Sequence, residues 1–168
     1  MRSVLMSIRQ KWCELTAKGQ KTVEVRKTRP KLGTPFKVYI YMTAGDAVYP
    51  VTINGSPYTC SNVGGKCVIG EFVCDEIREI GFSPYNHGEY TCEDQTYIEQ
   101  TGLTFDEMFE YLGEGYGYGW HISNLEIYDT PKSLSEFRGL RKTKFGYEPV
   151  SLTRPPQSWC YVEEVSQP

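Results

Sequence analysis

Residues 19–30 read GQKTVEVRKTRP and bring a lysine, a glutamate and an arginine within six positions: Lys21, Glu24 and Arg26. Val23 and Val25 alternate with Thr22, Glu24 and Arg26, which is the period of a β-strand with one apolar face. Residues two apart on one face stand roughly 7 Å apart along the backbone, so Glu24 and Arg26 can pair side by side. A carboxylate held by a guanidinium can accept a hydrogen bond from a base or ribose edge while the cation takes phosphate. Lys21, at the strand entrance, adds an ammonium. The alternative reading is a solvated amphipathic strand carrying a surface ion pair worth about 0–1 kcal/mol.

Other groups extend this chemistry. Arg9, Lys11, Lys18, Lys27, Arg29 and Lys31 surround the motif in sequence, and with Lys21 and Arg26 they can follow a short run of phosphates or form a solvated basic face. Trp12 lies beside Arg9 and Lys11 and is the best placed of Trp12, Trp120 and Trp159 to stack on a base; all three also suit a core. Tyr116 and Tyr118 sit in a Gly-Tyr-Gly-Tyr-Gly run that can close over a ligand or simply turn. His121 reads as a structural histidine satisfied by a neighbouring carbonyl, with a catalytic or binding role as the alternative. His87, in YNHGEY, reads as solvated. The binding set is therefore Arg9, Lys11, Trp12, Lys21, Thr22, Glu24, Arg26, Arg29, Tyr118 and His121. Were the protein an enzyme, Lys21 and Glu24 would be central.

Bulk composition fits this picture. The 168 residues suit one domain, with 39% hydrophobic and 23% charged content. Aromatics reach 14%, including thirteen tyrosines, which suit strand surfaces and ligand faces. A net charge of −3 argues against non-specific duplex-DNA binding but leaves room for a local basic patch. Residues 1–37 are densely basic, whereas 75–114 are mostly acidic. No apolar run reaches the length of a membrane span, and MRSVLMSIRQKW is too short in apolar residues for a secretory leader. The expected location is cytoplasmic, with the six cysteines reduced. Cys60, Cys67, Cys74, His87 and Cys92 match no common zinc spacing, so no metal and no cofactor are expected.

The elements that must position the motif follow from pattern. SVLMSI (3–8) reads as a strand and QKWCELTAK (10–18) as a helix stopped by Gly19. The motif strand and FKVYIYM (36–42) come next. Residues 43–66 read as a hairpin insertion with turns at Asn54-Gly55 and Gly64-Gly65. CVIGEFVCDEI (67–77) returns to strand. Residues 94–112 read as two short helices split at Gly102, the second opened by a Thr104/Glu107 capping box. Residues 115–128 read as a Gly-rich lead into one long strand, 133–137 as a short helical turn, and 158–165 as a closing strand. Basic, aperiodic 138–153 reads as an irregular surface connection. Numerous short strands with few helices between them favour an α+β fold, a small mixed β-barrel with peripheral helices, over a doubly wound sheet.

The segment GQKTVEVR resembles the G-x-K-x-x-E-x-R motif of ASCH domains, a branch of the PUA-like β-barrels. SIRQKW (7–12), VIGEFVCDEI (68–77), GYGWHISNLEIYDTPKSLSEF (117–137) and PPQSWCYVEE (155–164) resemble further family blocks in the same order. The last is similar to the tail of ASCH proteins met in phage and bacterial genomes. The resemblance implies one ASCH/PUA-like domain over 1–168, with a cleft beside the motif strand and RNA or a modified nucleotide as ligand. It also implies an alternative, a metal-independent hydrolase: a ribonuclease, or an amidohydrolase acting on N4-acylcytidine. That last activity uses a lysine, a threonine and a glutamate. Lys21 matches the lysine, Glu24 stands where the threonine belongs, Thr22 is two residues away, and Thr101 or Glu99 falls near the glutamate. A third alternative is an interaction protein that uses the barrel as a scaffold, with a protein as partner.

Overall fold

The computed structural model describes residues 1–43, 51–53, 56–58, 66–85 and 87–165. In chain order the elements are β1 (Arg2–Ile8), α1 (Gln10–Ala17), β2 (Val23–Arg26), β3 (Phe36–Met42), β4 (Val51–Ile53), β5 (Ser56–Tyr58) and β6 (Cys67–Cys74). There follow β7 (Ile77–Ser83), β8 (Glu89–Thr91), α2 (Thr96–Glu99), α3 (Phe105–Leu112), β9 (Tyr116–His121) and β10 (Ser123–Lys132). A 3-10 turn at Leu134–Glu136 leads to β11 (Arg138–Thr143), β12 (Gly146–Ser151) and β13 (Trp159–Glu163).

The architecture is α+β, mostly strand. A seven-stranded sheet runs β10-β6-β3-β1-β13-β11-β12, a four-stranded sheet runs β2-β9-β7-β8, and β4 pairs with β5. No sheet closes on itself among the described residues. Only the β1–β3 pair is parallel in the large sheet. A parallel pair needs a crossover, and α1 with β2 supplies it. Gly19 ends α1 with φ +71°, a left-handed conformation that glycine adopts without a Cβ clash. The chain then turns directly into the motif strand.

β1 and β3 are buried on both faces, which is why they read as unbroken apolar runs. Val4, Met6 and Ile8 join Val38, Ile40, Met42, Ile69 and Trp120 in the core facing the small sheet. Leu5, Tyr39, Tyr41 and Val68 pack on the other face with Phe137 and Val162. A third cluster of Val25, Ile80, Tyr90 and Met108 lies under the α2–α3 helices. Each fully buried Leu, Val or Met contributes about 1.5–3 kcal/mol.

Four expectations need correction. Residues 138–153 are not an irregular connection: β11 and β12 form an antiparallel hairpin from Arg138↔Ser151 to Thr143↔Gly146. Its charged, largely exposed side chains hid the strand period, because an edge hairpin has little apolar alternation to show. Residues 115–128 form two strands rather than one; β9 belongs to the small sheet and β10 to the large one, with Asn124 at φ +47° just beyond the switch. Residues 67–77 likewise split into β6 and the start of β7. Cys67 is disulfide-bonded, so the six thiols are not all reduced; Cys13, Cys74, Cys92 and Cys160 are free. The turns expected at Asn54-Gly55 and Gly64-Gly65 lie outside the described residues.

Candidate functional site

Lys21, Glu24 and Arg26 converge inside the protein. Lys21 is 1% exposed, Glu24 4% and Arg26 9%. Both valines between them turn to the opposite face of β2, where Val25 enters the cluster under α3. The polar side of β2 thus faces the interior between the sheets, not open solvent.

Local structure forces Lys21 inward. After Gly19 the backbone N–H groups of Gln20 and Lys21 both donate to the Leu15 carbonyl, at 2.9 and 3.2 Å, which wraps the chain around the end of α1. The N–H groups of Thr22 and Val23 then donate to the Gln100 carbonyl at 3.0 and 3.1 Å. This docks the motif against the end of α2, where helical carbonyls lack intrahelical partners. The Lys21 Nζ donates to two carbonyls, Thr101 O at 2.7 Å and Val23 O at 2.9 Å, and lies 3.2 Å from Glu24 Oε2. It also stands 5.2 Å from the centre of the Trp12 ring. Burial pulls its ammonium below the usual lysine range, and the Glu24 carboxylate opposes that shift.

Glu24 bridges the two cations, with Oε1 3.0 Å from Arg26 Nη1. Arg26 Nη2 donates to Ser7 O at 2.7 Å, anchoring β2 to β1. Ser7 is held in turn by its hydroxyl on Pro156 O at 2.6 Å and its N–H on Ser158 O at 2.9 Å. Two cations and one carboxylate leave one formal positive charge in the interior. Arg26 Nε has no hydrogen-bond partner among the described residues, whereas Glu24 Oε2 has the Lys21 ammonium at 3.2 Å. Buried polar atoms are rarely left so, because each orphan costs about 1–3 kcal/mol. Trp120 stands opposite Glu24 and Tyr118 opposite Arg26 across the β2–β9 pair, on the same face. Cys13 also borders the group; burial, then Glu24, pushes its thiol up.

The other predicted binding residues divide. Lys11 stands 4.4 Å over Trp12 and is ion-paired to Glu107, the α3 capping residue, so Trp12 has cations near it from two elements. Arg29 lies 5.5 Å over the Tyr118 ring. Arg9 is exposed at the start of α1. Thr22 is half-buried, tied to α2 through its backbone.

His121 does not join the group. It pairs with Val23, on the reverse face of the small sheet, and its Nδ1 lies 2.7 Å from Asp75 Oδ1. Its partner is thus a carboxylate rather than the expected carbonyl. Burial raises the Asp75 carboxyl, yet the His121 hydrogen bond, its own backbone N–H, the His121 charge and Ser123 together outweigh this and hold it below the usual range. Near the place expected for a family glutamate, the Thr101 backbone carbonyl meets Lys21, and Glu99 is exposed. Ser7, the Thr101 carbonyl and Asp75 were missed by the sequence reading. Backbone acceptors carry no side-chain signal, and Asp75 lies 46 positions from His121. No group of His, Cys, Asp and Glu suited to a metal is present among the described residues.

Lys21 makes a signed prediction. Its pKa in the folded chain lies below its unfolded value. Between the two, the folded chain binds fewer protons, so the Lys21 contribution to stability rises with pH up to about 10.4. Tyr39, Tyr97 and Tyr128, all raised by burial, act in the opposite sense above about pH 10. The measurement is therefore the stability difference between wild type and Lys21→Met across pH 7–10. It should move in favour of wild type as pH rises; a flat difference would mean the ammonium is not desolvated.

The fold is that of the ASCH-domain proteins. Three solved structures share it: the ASCH protein of Zymomonas mobilis, its tyrosine-to-phenylalanine variant and its serine-to-alanine variant. They superpose with TM-scores of 0.52, 0.54 and 0.53 at 17%, 16% and 16% identity. Each match covers 96% of this chain, and 88%, 91% and 89% of the other. No family model matches the chain, and no curated protein does.

Proposed function

We propose that this protein recognises RNA or a modified nucleotide beside the motif strand, using the Lys21–Glu24–Arg26 group and Trp12. The observation that carries this reading is the surplus positive charge around a buried carboxylate, beside a guanidinium whose Nε has no hydrogen-bond partner among the described residues. An anionic guest complements both features: its phosphate oxygen meets Arg26 Nε and the charge is balanced, while a base N–H shares Glu24 Oε2 with the Lys21 ammonium. Lys21 contributes field and architecture rather than direct contact, since its donors already face Val23, Thr101 and Glu24. Trp12, half-buried under two ammonium groups, supplies the stacking surface. The ASCH-type fold supports the same reading, and the domain spans 1–168 with the β4–β5 hairpin as its insertion.

The test is fluorescence anisotropy with labelled short RNAs and nucleotides, bare and N4-acetylated. Loss of base stacking in Trp12→Ala should weaken binding by about 1–3 kcal/mol, while Trp12→Phe keeps most of it. Equal affinities for Trp12→Ala and wild type would defeat the assignment.

A second reading has one specific support. A lysine pulled below its usual range and set 3.2 Å from a carboxylate is a candidate proton acceptor. That hydrolase reading requires RNA cleavage or deacylation with chelator present, abolished by Lys21→Met.

A further inference from the structure

Two basic clusters, 27–31 and 138–144, are separated by more than a hundred residues, yet both border one row of aromatic rings. Trp120, opposite Glu24, touches Trp159 with ring centres 5.8 Å apart. Trp159 meets Tyr161 at 5.4 Å, and Tyr161 meets Tyr147 at 5.6 Å. The first ring is fully buried, and the next three are half-buried. The row therefore runs from beneath the site out to the sheet edge.

Strand register explains the row. Trp159 and Tyr161 pair with Met6 and Val4 of β1, on the face that forms the core between the sheets. β11 and β12 follow β13 in the large sheet and form its edge. Gly139 pairs with Val162, so Leu140 and Lys142 share the face of Tyr161. Lys142 pairs directly with Tyr147 across the hairpin. Arg141 falls on the reverse face, 3.8 Å from Glu148.

Cations flank the rings on both sides. Arg2 lies 4.5 Å over Tyr147 and 5.8 Å from Tyr161. The 27–31 segment is pinned along the row by Trp159 Nε1 donating to Thr28 Oγ1 at 3.0 Å and the Lys31 N–H donating to Tyr161 Oη at 2.7 Å. Arg29 and Lys31 are exposed there, and Lys142 makes no ion pair among the described residues.

We propose that the β13–β11–β12 edge is a stacking track for single-stranded RNA, which extends the nucleotide site and rests on that reading for its starting point. Aromatic rings between cations suit unstacked bases joined by phosphates, because bases stack whatever their sequence while the cations follow the backbone. An acidic peptide would match the charge but leave the rings unused. A duplex would hide its base faces, and the acidic remainder of the surface would repel it.

The test uses the full chain and labelled oligouridylates of one, three, six and nine nucleotides. Affinity should rise with length. Tyr147→Ala and Lys142→Gln should each weaken the nine-mer about tenfold without changing mononucleotide affinity. Lys142→Gln should also reduce the slope of log affinity against log salt by about 0.7, one single-strand phosphate contact. Arg141→Gln makes the same charge change on the reverse face and should leave binding as in wild type. Melting curves check that each variant folds; Lys142→Gln, on an exposed strand, keeps the test open should Tyr147→Ala unfold. The track is overturned by affinity independent of length, by equal losses in Arg141→Gln and Lys142→Gln, or by equal displacement with polyglutamate. Mononucleotide binding without a length gain sinks the track alone. A length gain lost in Lys142→Gln, with no mononucleotide binding, sustains the track and sinks the site reading. Absence of binding at every length sinks both.

Discussion

Glu24→Gln should destabilise the protein by about 3–5 kcal/mol, the cost of leaving a buried ion pair half-made. Glu24 stands between Lys21 Nζ at 3.2 Å and Arg26 Nη1 at 3.0 Å, and both cations are at most one-tenth exposed. A neutral amide keeps the shape but removes the carboxylate that stands between them. Two positive charges would then share a dry interior. Arg26 cannot lose its proton, so Lys21, already pulled down by burial, must give up its own. The lost ammonium weakens its grip on Thr101 O and Val23 O, and with it the seam joining β2 to α2. At 168 residues the loss corresponds to a fall in Tm of about 6–20 °C. Urea and thermal unfolding measure it. A change under about 1 kcal/mol would place the three groups in water and remove the basis of the proposed site.

Trp120→Ala should cost a similar amount, about 3–5 kcal/mol. Trp120 is 0% exposed and packs edge-on against Phe36 at 5.7 Å, with Trp159 at 5.8 Å on another side. It fills the space between the two sheets directly opposite Glu24. Neighbours on rigid strands cannot collapse into the vacated volume, so the cavity term adds to the lost burial. Trp120→Phe should cost much less. It keeps a ring in place and removes an indole N–H that has no partner among the described residues. Chemical unfolding of both variants separates cavity from chemistry: equal losses would mean that the indole N–H matters more than the volume. Nucleotide affinity should fall in Trp120→Ala as well, because the wall behind Glu24 would yield.

Much of this was legible in the linear chain because it rests on local rules. The strand over 36–42 has no breaker and was read to the residue. Gly19 stops α1 because the turn demands a positive φ. The Thr104/Glu107 capping box opens α3, since the two residues need only their own backbone. The motif showed that Glu24 and Arg26 share one face, since strand period decides that without help from distant residues, whereas Lys21 joins them only through the turn after α1 and the Thr101 carbonyl.

What lay beyond the sequence depended on partners far along the chain. Local alternation showed that β2 has two faces, but the polar one is buried because β1 and α1 pack against it, with Trp120 of β9 alongside. That enclosure turns a plausible surface ion pair into a desolvated one. The partners of Lys21 are backbone carbonyls, one of them 80 positions away, and every residue has such a carbonyl. The 138–153 hairpin has no apolar face to announce it, so only pairing with β13 reveals it. The row from Trp120 to Tyr147 likewise exists only because β13 and the hairpin extend the large sheet. Composition and spacing determined which charges sit together and which segments are strands. The tertiary structure decided which charges lose their water and which aromatic rings line up, because desolvation and contact depend on what the rest of the chain places alongside.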